Sequence, residues 1–178
     1  MCKLFTPYVT AKSIYEVDLS FLEKEKIKYL LLDLDNTLDS YKRKTPNEKA
    51  YLLKDNLKKR GIMPIIISNN RGKRVRIYAE ALGVKYFNTV GKPFIFKLNK
   101  ILKSENITKT ETMVVGDQLI TDIAMSNRAK IKSIYVDKLV KEDQLTTRFN
   151  RLIEKPIKKI LKRKRLLIDW KEKNDGGN

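Results

Sequence analysis

Apolar residues arrive along this chain in short runs, separated by longer stretches with helical spacing. Residues 29–32 (YLLL), 62–67 (IMPIII), 112–115 (TMVV) and 131–136 (IKSIYV) have the pattern of strands buried in a sheet, and 85–87 (KYF) adds a shorter one. Between them the spacing predicts helices. Thr45 and Pro46 read as N-cap and first position of a helix, with Glu48 completing a capping box. That helix runs to Lys59 or Arg60, stops at Gly61, and buries Ala50, Leu52, Leu53 and Leu57. Residues 71–82, closed by Gly83, and residues 94–104 and 120–128 read as further helices, and 108–111 as a turn. Upstream, Pro7 and the Tyr8-Val9 pair suggest an extended lead-in. Asp18 or Ser20 then caps a short helix through Lys26, with Leu19, Leu22 and Ile27 turned inward. Strands alternating with helices predict an α/β fold: a parallel central sheet with helices on both faces. The chain divides into a strap and short helix (1–28), a core (29–140), a basic helical extension (141–173) and a disordered tail (174–178).

The apolar runs end in polar residues that carry chemistry. Residues 29–38 read YLLLDLDNTL, placing Asp33 and Asp35 where a buried strand finishes. Side chains alternate along a strand, so this spacing aims both carboxylates at about the same place. Two acids there repel each other and lose solvation, which calls for a cation or a catalytic role. Asp35 and Asn36 are also good turn formers, so the pair alone leaves both readings open. The run 62–67 ends in Ser68-Asn69-Asn70. Gly91-Lys92-Pro93 precedes the 94–104 stretch. The run 112–115 ends in Gly116-Asp117, with Asp122 five residues beyond Asp117. Taken singly, Ser68 reads as a helix cap, Lys92 as a solvated lysine, Gly116-Asp117 as a turn and Asp122 as a helix residue.

Composition narrows the chemistry. The 178 residues contain no histidine, which excludes Ser-His-Asp and Cys-His nucleophiles and histidine-ligated metals. The single cysteine, Cys2, excludes an internal disulfide and a cysteine zinc cage. A catalyst here works with Asp, Lys, Ser and a hard cation. With 39 Lys and Arg against 21 Asp and Glu, the net charge is +18. That excess favours polyanions, anionic membranes or phosphorylated substrates, or it follows from a lysine-rich composition alone. No run has membrane-spanning length and no leader pattern is visible, so a cytoplasmic protein, free or lying on a membrane surface, is expected.

In this order, Asp33-Leu34-Asp35-Asn36-Thr37, strand-Ser68, Lys92 and strand-Gly116-Asp117-x4-Asp122 resemble the four motifs of the haloacid dehalogenase (HAD) superfamily of phosphotransferases. The resemblance covers roughly residues 27–136. More narrowly, DLDNT with SNN, GKP and GDQxxTD looks like the YqeG family of subfamily IIIA phosphatases, related to the phosphatidylglycerophosphate phosphatases of mitochondria. The resemblance implies a HAD-like Rossmannoid three-layer α/β/α fold. It implies Asp33 as nucleophile and Asp35 as general acid and base, and Mg²⁺ held by Asp33, the Asp35 backbone carbonyl, Asp117 and Asp122. Lys92, Ser68 and Asn69 would bind the phosphoryl oxygens. The gap 39–44 is too short for a cap domain, and 71–90 is filled by a helix and a strand, so an uncapped, open site is expected. Such a site admits a phosphate carried on something large, phosphatidylglycerophosphate being the substrate the family relation suggests.

Residues 144–154 have helical spacing in Leu145, Phe149, Leu152 and Ile153, and Pro156 is expected to interrupt it. From Lys155 to Lys173, nine Lys or Arg and two acids alternate with Ile, Leu and Trp170. This stretch reads as an amphipathic helix on an anionic membrane, as a helix packed on its own domain, or as an RNA contact. The rival to a phosphatase is an RNA- or ribosome-associated protein with a vestigial or regulatory HAD site. A phosphatase for a small soluble metabolite is a third reading.

Overall fold

The computed structural model of the chain describes residues 2–140 and 145–175, with the helical backbone alone for 145–149. Its centre is a six-stranded, all-parallel sheet in the order β1-β6-β5-β2-β3-β4. The strands are β1 (Val9–Ala11), β2 (Tyr29–Leu32), β3 (Met63–Ile67), β4 (Lys85–Phe87), β5 (Thr112–Gly116) and β6 (Lys132–Val136). The chain leaves β2 for β3 and β4 on one side, then crosses to β5 and β6 on the other. The order therefore reverses between β2 and β5, the place where open α/β sheets hold ligands.

Alternation along β2 explains the three layers. Leu30 and Leu32 face a core shared with Phe21, Leu57, Val75 and Tyr78, under α2 (Leu19–Lys24), α3 (Glu48–Lys59) and α4 (Lys73–Leu82). Leu31 faces the opposite side, with Leu98 and Leu102 of α5 (Phe96–Ser104) and Met125 of α6 (Ala124–Ala129). Asp18 caps α2, accepting the Ser20 N–H at 2.9 Å. Gly83 ends α4 in the left-handed conformation that a residue without a β-carbon adopts freely.

Several elements differ from the sequence expectation. The extended lead-in is a full member of the sheet: β1 pairs with β6, Val9 opposite Ile134. The cap of α3 is Asn47, whose side chain accepts the Ala50 N–H at 2.9 Å, rather than Thr45. Asp39 decides this, because its Oδ2 accepts from both the Asn47 backbone N–H and Nδ2 (3.2 and 2.9 Å). Leu52, expected in the buried stripe, lies 61% exposed. The 120–128 helix opens with a wide π turn, Leu119–Ile123, before α6.

The basic extension departs most. Helix α7 (Leu145–Arg163) runs straight through Pro156. Proline withholds the N–H owed to the carbonyl four residues back. Here that residue is Leu152, which like Pro156 lies on the solvent-exposed side of the helix. Leu152 and Ile153 lie on the helix as their spacing predicts and are exposed; the side chains of Leu145 and Phe149, with residues 141–144, lie outside the described residues. Further along, Leu161 is fully buried with Leu119, Ile123 and Tyr135, and Ile157, Leu166 and Leu167, together with Cys2 and Phe5 of α1 (Cys2–Phe5), pack against this cluster. The chain then turns, and Trp170 opens α8 (Trp170–Asp175) with its ring 6.0 Å from Phe21. Thr10 of β1 donates its N–H to the Ile168 carbonyl at 2.7 Å. Much of the extension's apolar face is therefore inside the molecule, and its basic face is solvated. Of the expected tail, Asn174 and Asp175 are in α8 and 176–178 lie outside the described residues. Among the described residues, no helix is long and apolar enough to cross a membrane.

Candidate active site

The sheet's carboxyl edge gathers the polar residues that end its apolar runs. Asp33 continues β2 by one residue, its N–H donating to the Val115 carbonyl at 2.9 Å, and is almost wholly buried. Lys92 reaches it from the connection after β4. The Lys92 ammonium donates to Asp33 Oδ1 (2.5 Å), Asp122 Oδ1 (2.7 Å) and the Ile67 carbonyl (3.4 Å), which matches its three protons. Asp33 Oδ2, though buried, has no hydrogen-bond partner among the described residues. Asp117 follows β5 and Asp122 lies in the π turn. One carboxylate oxygen from each of Asp33, Asp117 and Asp122 falls within 4.8 Å of the others.

Three buried carboxylates matched by the Lys92 ammonium and the Arg151 guanidinium leave excess negative charge in a poorly solvated place. Burial pushes the Asp33 carboxyl well above its usual range; Lys92 opposes the shift, and Asp122 and Asp117 add to it. Asp117 rises to about 7, again through burial, with Arg151 pulling against it. Burial alone would lower the Lys92 pKa, but Asp122 and Asp33 raise it above the ordinary lysine value, so the ammonium is firmly charged. A hard divalent cation fits this donor set: the ligands are oxygens only, and one from each of the three buried carboxylates converges on the others.

Local backbone demands explain how the sequence builds the cluster. Gly116 lies so close to Asp122 that a β-carbon there would overlap Asp122 Cβ and Cγ. Gly116→Ala is expected to destabilise by about 1–3 kcal/mol and to displace Asp122 from Lys92, as thermal melting and the loss of divalent-cation binding would register. Asp122 is further fixed by the Gln118 N–H on Oδ2 at 3.2 Å. Asn69, expected at the phosphoryl oxygens, directs both ends of its side-chain amide to the Lys92 backbone. Its Nδ2 donates to the Lys92 carbonyl (2.8 Å) and its Oδ1 accepts the Lys92 N–H (2.7 Å). These two bonds tie Asn69 to the Lys92 backbone, on a loop where the Lys92–Pro93 peptide is cis. Ser68 is buried at the end of β3, and its Oγ accepts the Asn70 N–H at 3.0 Å.

Asp35 stands apart from the three clustered carboxylates. Its side chain is ion-paired with Arg74 of α4, which also donates to the Ser40 carbonyl (2.8 Å) and the Arg43 carbonyl (2.7 Å). Arg74 thus ties Asp35 to the connection between β2 and α3. Helix α7 supplies a second arginine. Arg151 ion-pairs with Asp117 Oδ2, donates to the Asp117 carbonyl (2.5 Å), and meets Glu154 at 3.1 Å. Glu154 in turn accepts the Ile120 N–H at 2.9 Å, and Asn150 donates to Gln118 at 3.0 Å. The extension therefore braces the loop that carries Asp117. Arg74, Arg151 and Glu154 were not among the sequence candidates. Only the ordinary i,i+3 spacing of Arg151 and Glu154 marks them, and that recurs on any solvated helix.

The motif order led one to expect a HAD-superfamily phosphatase of the YqeG type, and comparison with known proteins agrees. The family described as "Mitochondrial PGP phosphatase" matches residues 2–141. A Bacillus subtilis (strain 168) protein named "Probable phosphatase YqeG" is 34% identical over 172 residues, covering 96% of this chain and 98% of that protein. Two solved structures share the fold. A 3-deoxy-D-manno-octulosonate 8-phosphate phosphatase from Yersinia pestis superposes with a TM-score of 0.50 at 16% identity, covering 72% of this chain and 83% of that one. A Vibrio cholerae protein assigned provisionally to the same activity gives 0.52 at 21%, covering 72% and 86%. The family match spans the sheet and every motif residue above, and the Bacillus relative spans nearly the whole chain, so the chain belongs to the mitochondrial PGP phosphatase family and is a HAD-superfamily phosphatase of the YqeG type.

Proposed function

We propose that this phosphatase hydrolyses a phosphomonoester through an aspartyl-phosphate on Asp33, with Mg²⁺ as cofactor and phosphatidylglycerophosphate as substrate. The observation that carries the mechanism is the unpartnered Asp33 Oδ2, buried beside the charged Lys92 ammonium. An oxygen in that position is free to form a bond to phosphorus while Oδ1 stays anchored. Asp33 attacks in line, the phosphorus–oxygen ester bond breaks, and Asp35 gives its proton to the leaving alkoxide. Asp35 then takes a proton from water, the water oxygen attacks phosphorus, the Asp33–phosphorus bond breaks, and inorganic phosphate leaves. For this role the Asp35 carboxyl must exchange its Arg74 partner for the substrate, a short movement for a partly exposed pair. Lys92 and Ser68 hold the phosphoryl oxygens and offset their charge. Held by Asp33, Asp117 and Asp122, Mg²⁺ would supply the positive charge that lets a carboxylate approach a phosphate anion.

The family's description supports the lipid substrate. The test is phosphate release from phosphatidylglycerophosphate in phosphatidylglycerol vesicles, with Mg²⁺ or with EDTA, beside soluble phosphomonoesters. Mg²⁺-dependent release from the lipid is expected; release from soluble esters alone would discard the lipid and keep the mechanism. A second readout needs no turnover. Mg²⁺ at about a hundred times its Kd should stabilise the fold by about 2.7 kcal/mol, raising Tm by about 5–10 °C, and EDTA should reverse the shift.

A further inference from the structure

Two residues beyond Lys92, the chain exposes its most solvent-accessible large apolar side chains among the described residues: Phe94 at 71% and Phe96 at 81%. Neither has a packing role in the cores above. Phe94 sits on the turn closed by its own N–H to the Gly91 carbonyl (2.9 Å), with the Arg128 guanidinium 5.9 Å from its ring and bonded to the Pro93 carbonyl at 3.0 Å. Phe96 opens α5, whose inner face is Leu98 and Leu102. On its outer face Phe96 is followed at helical spacing by exposed Lys100 and Lys103. The neighbouring loop, joined to Lys92 through Asn69, adds exposed Arg71 and Lys73. Between Ser68 and Ser104 the sequence holds nine Lys and Arg and a single acid, Glu80.

We propose that this face, and not the basic extension, is the protein's docking surface for an anionic lipid bilayer, with Phe94 and Phe96 entering the headgroup–acyl boundary. Exposed aromatics ringed by cations suit that occupant: the rings gain apolar surroundings and the cations meet lipid phosphates. The basic extension sinks Leu161 and Trp170 into the core, and the apolar side chains it leaves outside among the described residues, Leu152, Ile153, Ile160 and Ile168, are all less exposed than Phe94 and Phe96. Depth agrees with the site. Two residues of chain span at most about 7 Å, so a Phe94 ring seated below the headgroups leaves Lys92 near the level of their phosphates. The lipid partner rests on the proposed substrate, but docking is measured without turnover.

The experiment uses the full chain and vesicles of phosphatidylglycerol and phosphatidylcholine, or of phosphatidylcholine alone. Trp170, the only tryptophan, is buried in the core, so emission from an F96W variant reports on this face. A blue shift is expected with the anionic vesicles, weakened by salt and absent with phosphatidylcholine alone. Co-sedimentation of F94S/F96S with the anionic vesicles should be at least about tenfold weaker than wild type at an unchanged Tm. Asp33→Asn should sediment like wild type, so docking can succeed even where lipid hydrolysis fails. Unweakened binding by F94S/F96S would overturn the proposal, as would F96W emission that responds to RNA and not to vesicles.

Discussion

Asp33→Asn is expected to reduce phosphate release by at least about 10⁴-fold on every substrate while the protein stays folded. The amide cannot form the bond to phosphorus, and the other carboxylates at the sheet edge, Asp35, Asp117 and Asp122, are ion-paired with Arg74, Arg151 and Lys92 respectively. Two effects on stability oppose each other. Removing one of three buried negative charges relieves repulsion with Asp117 and Asp122. Against this, an amide N–H₂ in place of Oδ2 has no acceptor waiting, which costs about 1–3 kcal/mol for a buried donor. The melting temperature without added metal should therefore move by only a few degrees. Phosphate release and thermal melting on one sample check both parts, and turnover close to wild type would sink the assignment of Asp33.

Lys92→Met is expected to produce the largest loss of stability of any single change in the site. The ammonium bridges Asp33 and Asp122, and its removal leaves two buried carboxylates facing Asp117 without compensation. Breaking a buried ion pair by deleting one partner costs about 3–5 kcal/mol. The loss should be greatest in EDTA and smaller in Mg²⁺, because a cation among the same carboxylates replaces part of the missing charge. Combining it with Asp33→Asn removes one of the stranded charges, so the double variant should be more stable than the sum of the two losses implies, by about 0.5–3 kcal/mol. Denaturant titration of the four proteins measures this directly. A Lys92→Met cost below about 1 kcal/mol would mean that the lysine is solvated and not a structural cation.

What could be read from the sequence was what leaves a local trace. Asp33, Ser68 and Asp117 each terminate an apolar run, so strand period and strand end were visible together. Lys92 lay between Gly91 and Pro93, and the order of the four segments did the rest. Arg74 and Arg151 left no such trace. They are two of 39 basic residues, and what distinguishes them is a contact made across the tertiary structure to Asp35 and to Asp117. Capping was mistaken for a related reason. Thr45 and Asn47 are both good caps, and the choice was made by Asp39, eight residues back on a different turn. Pro156 marks a break in an isolated helix, but α7 is held by Leu161 on one side of it and Arg151 on the other, and tertiary packing outweighs the missing bond. Val9–Ala11 was too short and too mixed to announce a strand.

The placement of β1 also sets an order of events during synthesis. Val9 finds its sheet partner only when Ile134 has emerged, and Thr10 finds Ile168 later still. Strands β2 to β5, with Asp33, Lys92 and Asp122, precede both in the chain. Because closing a long loop delays non-local pairing, a nascent chain can assemble its acidic cluster while its first strand is unpaired. The residues around Asp117 would then wait for Arg151, so a chain that has emerged only as far as about residue 140 should bring Asp33, Asp117 and Asp122 together with the bracing helix still unmade.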